Sequence, residues 1–256
     1  MNARKEAKRT GQAARLRARR GEISGSNTGI ATGVYCNLVV ILEQYASDFQ
    51  LLCRRNPVAL PLLERLERGS HESKLAKDSD VSTDVPFYNI YHDGVLVEES
   101  ASNISEQWGE GHVGFLLGCS FTLELALAAV DLKPRNMSEG KTPPVFITTF
   151  PLSPSGVFVG GFVVVSMRWY DPADVDKVRA VIRRLAAQHG EPIAWGWEGA
   201  ELLGVKHKLE QQRVDCGEWS KPMQGEVPVF WGCGVTAEYA LQTGKLPGLA
   251  FTHRPG

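Results

Sequence analysis

Phe115-Leu116-Leu117-Gly118-Cys119-Ser120-Phe121-Thr122-Leu123-Glu124 is the stretch that decides how this 256-residue chain folds. An apolar run reaches Gly118, where the backbone is free to turn or to approach a ligand closely, and small polar side chains follow at once. Ser120 reads as an N-cap, and Leu123, Leu127 and Val130 share one face, so the spacing predicts a helix over 121–130. Free N–H groups at such a helix start attract anions. A carboxylate substrate would therefore rest against Gly118, Cys119 and Ser120, with Glu124 one turn further along. A capped core helix with a buried cysteine accounts for the same ten residues, and taken alone they favour it.

A second stretch repeats this layout. Gly225-Glu226-Val227-Pro228-Val229-Phe230-Trp231-Gly232-Cys233-Gly234-Val235-Thr236 runs from an apolar strand through a glycine-bracketed cysteine into a predicted helix at 237–243. Two such turns would face one cleft at the carboxyl ends of neighbouring strands.

Around these stretches the sequence predicts a buried strand at 34–42, a helix at 43–55 ending before Asn56-Pro57, and a β-hairpin turning at Asp93-Gly94. A loop over 133–144 precedes strands at 145–150 and 157–170. A helix from Asp171-Pro172 to Gln188, closed by His189-Gly190, and a strand at 192–197 complete a ββαβ order. The expected fold is α/β: a mixed-sheet layered domain from residues 1–137 and 222–256, with an inserted two-layer ββαβ domain at 138–221. The cleft would lie where the two meet.

Composition narrows the function. Lys plus Arg (28) nearly cancels Asp plus Glu (29), so no global field draws the protein to nucleic acid or to an anionic membrane, and a small molecule is the default partner. Five widely spaced cysteines without a Cys-x-x-Cys pair suggest a reducing compartment and no zinc site. No apolar run approaches a membrane span and no signal core opens the chain, which makes cytoplasm the simplest address. The basic run from Arg4 to Arg20 reads as a solvated helix face stopped by Gly21, rather than a nucleic-acid arm. Arg168, ending an interior strand, is either a surface charge or a clamp on a carboxylate. His253 is a candidate acid or base.

Taken together, Asn37-Leu38-Val39, Thr83-Asp84-Val85-Pro86, Val113 to Thr122, Val164-Val165-Ser166-Met167-Arg168, His189-Gly190, Gly225 to Trp231, Cys233-Gly234-Val235-Thr236 and Thr252-His253 resemble the D-glutamate cyclase family, over nearly the whole chain. Departures include Tyr35-Cys36 where members usually carry Gln-Ala, and Gly204-Val205-Lys206-His207 in place of Gly-Ile-x-Asp. The resemblance implies dehydration of glutamate, preferably the D enantiomer, to 5-oxoproline, chemistry that strictly demands no metal or other cofactor. Such a reaction needs a carboxylate anchor, a base for the ammonium, donors for the oxyanion and an acid for the departing oxygen. The expected assignment gives substrate binding to Arg168, Gly118, Gly234, Thr236 and Asn37. Catalysis falls to Glu124, Asp84 and His253 for proton transfer and to the turn at Cys119 and Ser120.

Two alternatives stand beside it. One is a thiol-dependent acyl transferase or amidase using Cys119 or Cys233 with His253 or His189 as base. The other is a non-catalytic binding protein for an amino acid or 5-oxoproline. The expected partner is a small amino acid or carboxylate, with neither nucleic acid nor membrane, and homo-oligomerisation is left open.

Overall fold

The structure is a computed structural model that describes residues 10–23, 25 and 29–255. In chain order its elements are α1 (Gly11–Arg19), β1 (Cys36–Leu42), α2 (Glu43–Arg55), β2 (Leu62–Arg65), β3 (Tyr88–His92), β4 (Val95–Ala101), β5 (His112–Gly118), α3 (Phe121–Ala128) and α4 (Arg135–Glu139). There follow β6 (Val145–Pro151), β7 (Phe162–Tyr170), α5 (Val175–Ile182), β8 (Ala194–Trp195), α6 (Gly196–Leu202), α7 (Lys206–Glu210), β9 (Val227–Gly232), α8 (Val235–Gly244) and β10 (Leu249–His253). Four of the basic N-terminal residues (Arg4, Lys5, Lys8 and Arg9) lie outside the described residues.

The strands form a six-stranded sheet, ordered β2-β5-β1-β10-β3-β4, and a four-stranded sheet, ordered β6-β7-β9-β8. Every ladder in both is antiparallel, so the expected mixed sheet is corrected. β1 is central and buried on both faces, as its continuous apolar run requires. Val39 and Ile41 join one core with Phe115, Leu117 and α2, while Leu38 and Val40 join another with Ile90, Leu116 and Phe251. Asp93 and Gly94, both at positive φ, make the two-residue hairpin turn from His92 to Val95.

The ββαβ order is present, yet β9 inserts between β7 and β8. The strand at 227–232, placed with the larger part by the sequence division, therefore completes the smaller sheet. β8 is only two residues long because Gly196, at φ 72°, starts α6 where an extended strand was expected. The expected loop at 133–144 contains the short α4. The helix foreseen from Asp171 to Gln188 is split into two short 3-10 turns flanking α5.

The two strand-turn-helix units exchange sides. β5 belongs to the six-stranded sheet, but α3 packs Leu123 and Leu127 against Val229, Trp231 and Tyr170 of the four-stranded one. β9 belongs to the four-stranded sheet, but α8 packs Ala237, Ala240 and Leu241 into the core of the six-stranded one. This crossing brings both turns to one place. No helix among the described residues is long and apolar enough to cross a membrane.

Candidate functional site

A cavity of about 830 Å³ opens at the crossing. Its inner wall carries Asn37, Cys119, Ser120, Ser166, Gln188, Gly234 and His253, and its outer wall comes largely from α1 and the segment leading to β1. The turns thus face one cavity, although from two sheets and not from neighbouring strands of one.

Ser120 precedes α3 in a helical conformation and makes no capping bond through its side chain. Its hydroxyl instead accepts from Arg168 Nη2 at 3.1 Å. Arg168 is 3% exposed and spends its donors on Glu124 Oε1 (2.8 and 3.0 Å), Ser166 Oγ (2.5 Å) and Ser120 Oγ. Glu124, 1% exposed, also accepts from Asn136 at 3.0 Å. Neither member of this ion pair reaches the cavity wall. Arg168 therefore does not clamp a ligand directly; it lies beneath two serine hydroxyls and polarises them. Each hydroxyl accepts from the guanidinium, and Ser166 Oγ in turn donates to Ser120 Oγ at 3.4 Å, which leaves the Ser120 proton to donate outward.

The other expected residues fall into two groups. Asn37 donates from Nδ2 to the Gly118 carbonyl at 2.6 Å and packs on Gly234, where a Cβ would collide with its amide. Ser120 and Gly234 N–H groups at the two helix starts make no hydrogen bond among the described residues. His253 lines the cavity, with Nδ1 loosely placed 3.4 Å from the Leu38 N–H and 3.5 Å from its carbonyl, so neither tautomer is locked. Burial pulls its pKa down to about 4, which keeps the ring neutral at neutral pH.

Asp84, Thr236 and Gly118 serve the framework. Asp84 borders the cavity, but its carboxylate is held by Arg15 at 3.2 Å, Arg19 at 2.7 Å and the Asp80 N–H, and so fastens α1 to the body. Thr236 is fully buried and bonds the Val164 N–H and carbonyl. Gly118 donates to the Pro61 carbonyl, and any Cβ there would strike the Ala187 carbonyl.

Two wall residues lie outside the sequence assignment. Ser166 sits two positions before Arg168 on β7, hence on the same face, and a lone serine in an apolar strand is a signal open to reading. Gln188 accepts the Cys119 N–H at 2.8 Å. No local pattern marks it, because its role comes from the 3-10 turn Ala186–Gln188 packing on Gly118.

The thiol alternative finds little support in this geometry. Burial pushes the Cys119 thiol up to about 12 and the Cys233 thiol up to about 11, although the Phe121 and Val235 N–H groups favour the thiolates. His189 donates Nδ1–H to the Val58 carbonyl at 2.8 Å, and burial holds it at about 4. What the wall offers is anion-binding donors beside a neutral imidazole.

The profile of the D-glutamate cyclase family matches residues 113–256, a span that contains both turns. A "Putative hydro-lyase" of Schizosaccharomyces pombe is 45% identical over 90% of this chain and 77% of its own length. Another, from Rubrobacter xylanophilus, is 45% identical over 95% and 92%, and one from Bacillus pumilus is 40% identical over 93% and 88%. The chain belongs to the D-glutamate cyclase family and is an enzyme of the hydro-lyase class.

Proposed function

We propose that the enzyme dehydrates free glutamate, with preference for the D enantiomer, to 5-oxoproline in the cavity between the two turns. The observation that supports this most is a pair of helix starts opening on one cavity, floored by two hydroxyls that a buried guanidinium polarises. A dicarboxylate meets two such anion sites. The α-carboxylate rests on Ser120 and Ser166, and the γ-carboxylate on the Gly234 N–H and the Asn37 amide. The amine is thereby held next to the γ-carbon.

The chemistry balances without a redox partner. The substrate ammonium loses a proton to the neutral His253 ring, and the amine attacks the γ-carbonyl carbon. The donors at Gly234 and Asn37 stabilise the oxyanion, His253 returns its proton to the departing oxygen and relays the second nitrogen proton to it, and the C–O bond breaks with water as the leaving group. Two protons leave nitrogen in all, and one water forms. Glu124 and Arg168 are positioning residues in this scheme, and Asp84 holds the outer wall.

An NMR time course of the protein with D- and L-glutamate tests the proposal. Enantioselective appearance of 5-oxoproline above the enzyme-free rate is expected. Line broadening of glutamate or 5-oxoproline without turnover would favour the binding-protein alternative, and silence in both readouts would reject the substrate.

A further inference from the structure

The two turns align without a gap over Gly118-Cys119-Ser120-Phe121-Thr122-Leu123-Glu124 and Gly232-Cys233-Gly234-Val235-Thr236-Ala237-Glu238, sharing Gly, Cys, Thr and Glu at four of the seven positions. Gly118 pairs with Cys36, and Thr122 Oγ1 accepts from the preceding residue, Tyr35, at 2.9 Å. Gly232 pairs with Val165, and Thr236 Oγ1 accepts from the preceding residue, Val164, at 3.1 Å. Glu124 and Glu238 therefore occupy equivalent places in the first turns of their helices. The chain supplies Glu124 with Arg168.

Glu238 receives only neutral donors. Its Oε1 accepts from Asn89 Nδ2 at 3.1 Å, Tyr91 OH at 3.1 Å and Thr252 Oγ1 at 2.7 Å. No cation among the described residues makes an ion pair with it, although the side chain is 7% exposed. Its Oε2 takes no hydrogen bond among the described residues, yet it is not sealed in the core. It opens on a second cavity of about 600 Å³, which also meets Glu99, Glu218 and the single guanidinium of Arg254. A carboxylate kept this dry without a counter-charge is destabilising unless something cationic arrives.

We infer that the second cavity binds a protonated primary amine, whose –NH3⁺ donates to Glu238 Oε2 and takes the place that Arg168 holds opposite Glu124. A divalent metal fits less well, because no group of three metal-ligating side chains stands together among the described residues. An ammonium matches the site in charge and in donors, since Oε2, which takes no hydrogen bond from the described residues, accepts one of its three N–H bonds. Arg254 at the rim would receive a carboxylate if the amine belongs to an amino acid.

Calorimetric titration of the full chain tests this with methylammonium, tetramethylammonium and glycine as chlorides or free zwitterion. Methylammonium should bind and tetramethylammonium should not, since the latter carries the charge without an N–H. Glycine binding more tightly than methylammonium would identify an amino acid as the class of ligand, and weaker binding a simple amine. In Glu238→Gln, checked for native near-UV circular dichroism, methylammonium affinity should fall at least about tenfold. Equal binding of the two methylated cations, no binding of either, or unchanged affinity in the variant would overturn the inference. The wild-type comparison decides the matter even if the variant fails to fold.

Discussion

The turn at Gly118 and the turn at Gly232 are one device built twice, and they differ in what faces the glutamate. At Glu124 the chain completes the site itself, with a guanidinium that also holds two serine hydroxyls. At Glu238 three neutral groups share one oxygen and the other is left to a cavity. The same Gly-Cys-x-x-Thr-x-Glu pattern therefore builds a finished electrostatic unit once and an open one once. The deciding residue is Arg168, which arrives from β7, far from either turn in the chain. Removing it is the most direct way to break the comparison. Arg168→Met leaves Glu124 buried without its cation and should lower unfolding free energy by about 3–5 kcal/mol in denaturant titration. Adding Glu124→Leu should recover most of that loss, because a pair replaced by apolar groups no longer leaves a bare charge. A single variant as stable as the wild type would mean the pair does not hold the first turn.

The two histidines behind the turns sharpen the comparison through pH. Both His189 and His253 are neutral when folded, with pKa values pulled to about 4 by burial. In the unfolded chain each titrates near the ordinary value of about 6.5. The unfolded state thus binds more protons between these limits, so stability is complete above about pH 6.5 and falls as pH drops toward 4. Each histidine contributes roughly 3 kcal/mol to that fall. Denaturant unfolding across this window should show the slope, and His189→Asn should flatten it by about half.

Much of this architecture was open to reading from sequence, for reasons that separate local from distant causes. The limits of α2 at Glu43 and Arg55 and the Asp93-Gly94 turn follow from local chemistry and are found as expected. The likeness of the two turns is equally local. Their exchange between sheets is not, because it depends on which core each helix buries, and the place of β9 between β7 and β8 escaped for the same reason. At the site, Ser120 and Gly234, read from the turn motifs, and His253, read as a candidate acid or base, line the cavity together with Asn37, which the family resemblance supplied. Arg168 looked like a clamp for a substrate carboxylate and Asp84 like a proton-transfer group because sequence shows a charge and hides its partner; here Glu124 and the arginines of α1 are those partners.

Ser166 carries the chemical half of the comparison. Its hydroxyl stands on Arg168 in the finished unit, and the strand position matching it beside the other turn is taken by Asn37, paired one residue along β1 as Ser166 is along β7. Ser166→Ala removes one preorganised donor while leaving the ion pair in place. Initial rates of 5-oxoproline formation should fall about 10- to 100-fold in kcat/KM, the loss expected when one hydrogen bond to a charged substrate group, about 1.5–3 kcal/mol, is removed. A fall confined to stability, with kinetics unchanged, would move the substrate carboxylate away from this floor.

The smallest expected effect separates the two glutamates most cleanly. Glu124→Gln strips the charge from a buried pair and leaves Arg168 unpaired, so it destabilises. Glu238→Gln removes a charge that burial disfavours and keeps an amide oxygen for the Asn89, Tyr91 and Thr252 donors. Burial raises the Glu238 pKa, so the folded protein holds a proton there that the unfolded chain releases as pH rises through the ordinary carboxyl range of about 4.3. Ionised Glu238 therefore costs stability above that range and nothing below it. The glutamine variant should gain up to about 1 kcal/mol at neutral pH over the wild type, with the gain vanishing near pH 4. Chemical denaturation at both pH values measures it. Methylammonium, if it seats on Glu238, should close the gap by stabilising the wild type alone. A loss at Glu238→Gln equal to that at Glu124→Gln would show that the second turn is already charge-balanced by the chain, and the two units would then be alike after all.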